Sequence, residues 1–230
     1  MKDKDRYWDC LDQAMEASHG GRTDEALAWL DEALKAHPEG AEAHNGRGEI
    51  LWDEGKFDEA LAEFELAVKA DPKFVSAHLN RAELLVEEFG AHEEAIEHCD
   101  RLLAGGGELP RLDRGIEAEV YYLKAKALFY QNDLPGALFL LRRAIQAGGE
   151  QDVYRAFEGQ ILFEQARFEE ARRQLERAVA LNPDAAHAVY HLGLVLERLG
   201  DGEEARRMFE RAHALDPELY AVPTELDDET

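Results

Sequence analysis

A triplet of two acids and an alanine returns along this chain at nearly constant spacing, and that recurrence restricts the fold more than any other feature. It heads DEALAWLDEAL at 24–34, DEALAEFELAV at 58–68, EEAIEHCDRLL at 93–103, EEARRQLERAV at 169–179 and EEARRMFERAH at 203–213, with PGALFLLRRAI at 135–145 as a variant copy. The aligned alanines, Ala26, Ala60, Ala95, Ala137, Ala171 and Ala205, are separated by 34, 35, 42, 34 and 34 residues. A fixed period of roughly 20–50 residues marks an array in which each unit buries its apolar face against its neighbours. The chain therefore holds six copies of a 34-residue unit, one of them stretched by eight residues.

Each copy reads as two helices. In 169–181 the apolar residues Ala171, Leu175, Ala178, Val179 and Leu181 form one helical stripe. HPEG at 37–40, DPKF at 71–74, NPDA at 182–185 and DPEL at 216–219 mark turns, because proline cannot continue a helix. Within a unit, EGKFDEA and LGDGEEA place glycine where the first helix stops, before acids that open the second. Gly48, Ala82, Ala125, Gly159 and Gly193 form a small column on the first helices. The aligned alanines, with Ala33, Ala67, Ala144, Ala178 and Ala212, form small columns on the second. Leu51, Phe64, Leu85, Leu128, Leu141, Leu162, Leu175, Leu196 and Phe209 are expected to fill the layer between repeats.

This pattern resembles the tetratricopeptide repeat over residues 7 to 217. Val189, Leu192, Gly193, Leu196, Ala205, Phe209 and Pro217 make one good copy, and Trp52, Phe57, Ala60, Phe64 and Pro72 mark another. The expected fold is all-α, a right-handed α-solenoid of about six helix–turn–helix repeats at 7–40, 41–74, 75–107, 118–151, 152–185 and 186–217. Ala14 and Ala17 replace the glycine and aromatic of the first copy, and the third and fourth copies lack the closing proline. The glycine run AGGGELPRLDRG at 104–115 has no lysine and Ser/Thr for a phosphate loop and reads as a hinge.

AHEEAIEHCDRLL, 91–103, gathers histidines, a cysteine and glutamates, yet the repeat gives it an architectural reading. His92 and His98 are six residues apart, against the four of a zincin H-E-x-x-H, so about 100° per residue points them apart. Cys99 aligns with Leu30, Phe64, Leu141, Leu175 and Phe209, a core column, and His92 aligns with Phe57, Leu134 and Phe168 at the helix start. His187 and His191 are four apart but have neither a glutamate between them nor a visible third ligand. They remain a weak metal pair, and the expectation is no metal and no cofactor. No nucleophile–base arrangement stands out, and the chain is read as a non-enzyme.

In the family that the repeats resemble, the first helices line a concave face that holds peptides. Carried over by alignment, that face has an acidic part with Asp12, Glu42, Asn45, Glu49, Trp52, Asp53, Asn80, Glu83 and Glu87. An aromatic part follows, with Tyr122, Lys126, Phe129, Tyr130, Phe157, Gln160, Phe163, Tyr190, His191, Leu194 and Arg198. Some relatives grip a chaperone's C-terminal carboxylate with lysines, asparagines and an arginine. Only Asn80 fits those columns here, which disfavours that partner. The implied partner is a protein or peptide, basic and with apolar anchors.

Charge supports the same choice. Fifty acidic against 26 basic residues give a formal charge of −24, which repels phosphate backbones and anionic membrane surfaces. Cys10 and Cys99 cannot build a disulfide framework, and MKDKDRYWDCLDQAM has no apolar core for secretion, so a reducing cytoplasm is expected. After Pro217 the acidic tail 218–230 begins with Leu219, Tyr220 and Val222, the start of a cover over the last apolar face, until Pro223 interrupts it. An uncapped C-terminal end would favour a homodimer or another self-assembling structure. The ending ELYAVPTELDDET also resembles a junction in bacterial repeat proteins that continue into a zincin-like peptidase domain. Under that alternative the repeats are a substrate-binding or regulatory module, and catalysis lies outside these residues.

Overall fold

The computed structural model describes residues 2–220, with side chains described from residue 5. They form twelve helices and no strand. The helices are α1 (Lys2–His19), α2 (Thr23–Ala36), α3 (Ala41–Asp53), α4 (Phe57–Ala70), α5 (Val75–Glu87) and α6 (His92–Ala104), then α7 (Arg114–Tyr130), α8 (Leu134–Gly148), α9 (Asp152–Glu164), α10 (Phe168–Leu181), α11 (Ala186–Leu199) and α12 (Gly202–Leu215). They pair in chain order into six helix–turn–helix repeats, and the molecule divides into two compact units at residues 113 and 114. Unit 1 holds the first three repeats and unit 2 the last three. The division falls inside the 104–115 segment. Helix α7 begins at Arg114, ahead of the expected repeat start at 118, because Ile116 extends the stripe of Val120 and Leu123 one turn upstream.

The turn inside each repeat is built the same way six times. One residue takes a left-handed conformation: Gly21, Gly55, Gly90, Asn132, Ala166 and Gly200 have φ of 68°, 74°, 59°, 64°, 55° and 86°. Glycine and asparagine tolerate that region, while Ala166 bears its steric cost. Acids then open most second helices, as Asp24 and Glu25 do in α2 or Glu169 and Glu170 in α10, where they face the positive end of the helix dipole. Helix α8 has no such acids; its cap Asp133 accepts the Gly136 N–H at 3.0 Å instead. The third and fourth copies, which lack the closing proline, leave their second helices through Gly105 and Gly149, both at positive φ.

The aligned alanines of all six second helices are fully buried, as are Ala33, Ala67, Ala144, Ala178 and Ala212. A Cβ on Gly48 would lie 2.5 Å from the Phe64 ring, one on Gly159 2.5 Å from Leu175 Cγ, and one on Gly193 2.7 Å from the Phe209 ring. Phe64, Leu175 and Phe209 thus act inside their own repeats as well as in the layer between repeats, where Phe64 clusters with Leu84 of α5. Each is wedged against the glycine of its own repeat, fixing the approach of the two paired helices. Gly159→Val is therefore expected to cost about 1–3 kcal/mol through overpacking. The measurement is the urea midpoint at unchanged slope; an unchanged midpoint would contradict the contact between α9 and α10.

A polar column couples consecutive repeats. Arg47 on α3 meets Asp31 on α2 at 3.2 Å and Glu63 on α4 at 3.6 Å. Arg81 on α5 meets Glu65 on α4 at 3.2 Å and Glu94 on α6 at 2.6 Å. In the fifth repeat the equivalent position carries the opposite sign: Glu158 on α9, buried, meets Arg142 of α8 at 3.1 Å and Arg155 of its own helix at 2.9 Å. Arg155 also donates to Gln174 at 3.1 Å and to Glu150.

Candidate protein-binding surfaces

In unit 1 the first helices α3 and α5 carry the acidic set, and internal contacts already hold much of it. Tyr7 donates its hydroxyl to Glu42 at 2.9 Å and accepts the Ala43 N–H at 3.3 Å, tying α1 to α3. Burial, then the hydrogen bond to Glu42, raises the Tyr7 pKa far above the usual phenol range. Asn45 is buried and donates to Glu49 at 2.9 Å. Asn80 donates to Asn45 at 3.0 Å and to Glu49 at 2.9 Å. The one residue matching a carboxylate clamp is thus engaged inside the unit. Trp52 is half-buried, edge-on to Phe64, with its indole N–H 3.3 Å from Glu88. Glu42, Glu49, Asp53 and Glu87 are exposed and Glu83 is half-buried. Asp12 is exposed on α1.

In unit 2 the aromatic set divides in two. Phe157 is buried, packed against Tyr122 at 5.6 Å and Phe129 at 5.3 Å. Tyr190 lies between Phe209 at 5.4 Å and Tyr220 at 4.9 Å. Phe157 and Asn45, both buried, are corrected from ligand contacts to packing, while half-buried Tyr190 shares its ring with Phe209 and Tyr220. The accessible remainder is Tyr130, 51% exposed, and exposed Arg198, with half-buried Tyr122, Lys126, Phe129, Gln160, Phe163, His191 and Leu194. Cations already lie over two rings, Lys126 over Tyr122 at 5.5 Å and Arg198 over Phe163 at 5.3 Å.

The histidines resolve into two pairs. His187 and His191 face each other at 4.3 Å, and the Tyr220 hydroxyl lies 3.4 Å from His187 Nδ1. Burial, then the neighbouring His187, pushes the His191 pKa down to about 3. Burial and Lys126 lower that of His187. Among the described residues no group of three or more His, Cys, Asp or Glu side chains gathers to hold a metal ion. In 91–103, Cys99 is fully buried and His98 is buried beside His78, a partner the sequence reading missed. The rings stack at 5.2 Å, with His98 Nε2 3.3 Å from His78 Nδ1, while His78 Nε2 reaches the Pro72 carbonyl at 2.9 Å. A carbonyl only accepts, so His78 carries its proton on Nε2 and His98 donates from Nε2 to the bare Nδ1. The signal was present: His78 stands six residues after Pro72, as His44 stands six after Pro38, whose carbonyl it reaches at 3.2 Å.

At the C-terminal end of unit 2, Tyr220 is buried against Val189 and Ala212, and its carbonyl lies 2.8 Å from His213 Nδ1. It begins the expected cover, whereas Leu219 is 69% exposed. Val222, Pro223 and the rest of the ending used for the peptidase-junction resemblance lie outside the described residues. No helix among the described residues is long and apolar enough to cross a membrane.

Paired helices repeating with these small columns define an all-α helical-repeat protein. The chain belongs to the tetratricopeptide repeat family, whose model matches residues 11–73, 50–110 and 158–219. The unmatched stretch includes the end of the glycine-rich segment and the variant PGAL copy. Proteins of this family generally mediate protein–protein interaction or scaffolding. No curated protein matches the sequence. Among solved structures the chain is similar to PilW, a widely conserved type IV pilus biogenesis factor, at 18% identity, covering 92% of this chain and 94% of that one with a TM-score of 0.79. It is similar to pilF of Pseudomonas aeruginosa at 14% identity, covering 95% of each chain with a TM-score of 0.74. YrrB, a tetratricopeptide repeat protein with an unusual peptide-binding site, matches at 20% identity over 83% of this chain and 93% of that one, with a TM-score of 0.52. At these identities the likeness is one of fold.

Proposed function

We propose that the chain is a non-catalytic scaffold that binds peptide segments of a partner protein, unit 2 taking apolar anchors on its own surface and unit 1 basic residues on its own. The observation that carries this reading is the open aromatic set on the first helices of unit 2, above all Tyr130 at 51% exposure. A large ring left half in water on a rigid helix is the kind of anchor that dominates interface energies. The acids on α3 and α5, in a chain of charge −24, favour lysine and arginine in the partner and disfavour an anionic one.

Selection from a random peptide library on the immobilised chain tests this. The expected winners combine an aromatic or large aliphatic residue with Lys or Arg, and Tyr130→Ala is expected to weaken them about tenfold. Its far-ultraviolet circular dichroism should be unchanged. Winners rich in Asp and Glu, or equal affinity in the variant, would reject the reading.

A further inference from the structure

We propose that unit 1 holds a small organic anion with a short apolar body in the cavity between α4, α5, α6 and the glycine-rich segment that follows α6. The cavity measures about 310 Å³, at the lower end of ligand-pocket sizes. Its lining includes the buried His78, His98 and Leu102, with Val68 and Leu109 as apolar walls. Lys69 and Arg101, both exposed, line it beside Arg81.

The charge of this lining is opposite to that of the molecule. Arg6, Arg22, Lys35, Arg47, Lys56 and Arg81 of unit 1 each meet a carboxylate. Glu65, the acid of the lining, is taken by Arg81 at 3.2 Å. The side chains of Lys69 and Arg101 have no hydrogen-bond or ion-pair partner among the described residues. Two uncompensated cations beside an apolar recess suit a ligand that is anionic at one end and hydrocarbon at the other. A guanidinium and an ammonium in one lining select a carboxylate or phosphate headgroup over a neutral one.

The eight extra residues of the third copy acquire a purpose here. Gly105, Gly106 and Gly107 all adopt positive φ, 62°, 95° and 63°, a path closed to most side chains. That path turns the chain after α6 so that Leu109, whose N–H meets the Gly106 carbonyl at 3.3 Å, becomes part of the cavity wall. A 34-residue copy running directly into its neighbour would not supply that wall.

Octanoate, octyl phosphate and octanol are suitable probes, titrated calorimetrically into the full chain. The expected result is one-to-one binding of at least one of the two anions, at least tenfold tighter than octanol, with the tighter anion identifying the headgroup. Lys69→Gln with Arg101→Gln is expected to weaken that binding at least tenfold, with the urea midpoint unchanged because both side chains lie in solvent. Leu109→Glu is expected to weaken it through the apolar wall alone. Octanol binding as tightly as both anions, no heat from either anion at millimolar concentration, or equal binding in the double variant would each overturn the proposal.

Discussion

Glu158→Ala is expected to lower the stability of unit 2 by about 2–3 kcal/mol, less than the roughly 3–5 kcal/mol of a buried partner left wholly unpaired, because Arg155 keeps Glu150. The Glu158 side chain is 3% exposed and its partner Arg155 11%. Removing the carboxylate leaves the Arg155 guanidinium in a poorly solvated place, with only Gln174 and Glu150 to satisfy it. Arg142 is 56% exposed, and its share in the loss is small. The penalty therefore arises mainly at Arg155, which keeps one carboxylate of two, and that origin is separately measurable. Arg155→Ala on the Glu158→Ala background should cost less than the two single changes added together, with a coupling of about 1–3 kcal/mol. Far-ultraviolet circular dichroism in urea reads both, because Trp8, Trp29 and Trp52 all lie in unit 1 and are silent on unit 2. A loss below about 1 kcal/mol would place the pair with exposed salt bridges.

The polar column also shows why only part of the molecule was readable beforehand. A period of small residues is visible in one dimension, because Gly48, Gly159 and Gly193 are each required by a bulky side chain of the paired helix, a fixed distance along the same repeat. The ion pairs have a period too: Glu65 precedes Arg81 by 16 residues, and Arg142 precedes Glu158 by 16. A reading that counts apolar and small positions passes over them, and the reversal of sign at Glu158 hides the equivalence. The turns divide similarly. Gly55 and Gly200 announce a left-handed residue, whereas Asn132 and Ala166 hold the same conformation with no glycine to mark it. For the binding surfaces, alignment assigned residues to the first helices. It did not separate Phe157 from Phe163, or Asn45 from Glu49, because which part of a helix face a neighbour covers depends on how helices pack in three dimensions. His98 was assigned a helix and a repeat, but its partner lay on α5, twenty residues away.

The second large effect is acid sensitivity in unit 1. Burial, then the charges of Arg81, His78 and Arg101, pushes the His98 pKa from 6.5 down to about 3. In the unfolded chain the same imidazole titrates near its ordinary value, so below pH 6.5 the unfolded state binds a proton that the folded state refuses. The contribution is fully present above pH 6.5 and is lost progressively as pH falls toward about 3, at up to about 1.4 kcal/mol per pH unit. Between pH 7 and pH 5 His98 alone should remove about 2 kcal/mol. The cause is also geometric: with His78 Nε2–H committed to Pro72, a proton added to His78 Nδ1 would point at the donor of His98. Fifty acids act in the opposite sense, since neutralising them relieves self-repulsion. The informative quantity is therefore a difference. Tryptophan emission isolates unit 1, and His98→Leu should lose about 2 kcal/mol less than the parent protein between those two pH values. Parallel pH profiles would mean that His98 is protonated as readily in the folded state as in the unfolded one, and that the paired imidazoles are not held in a water-poor site.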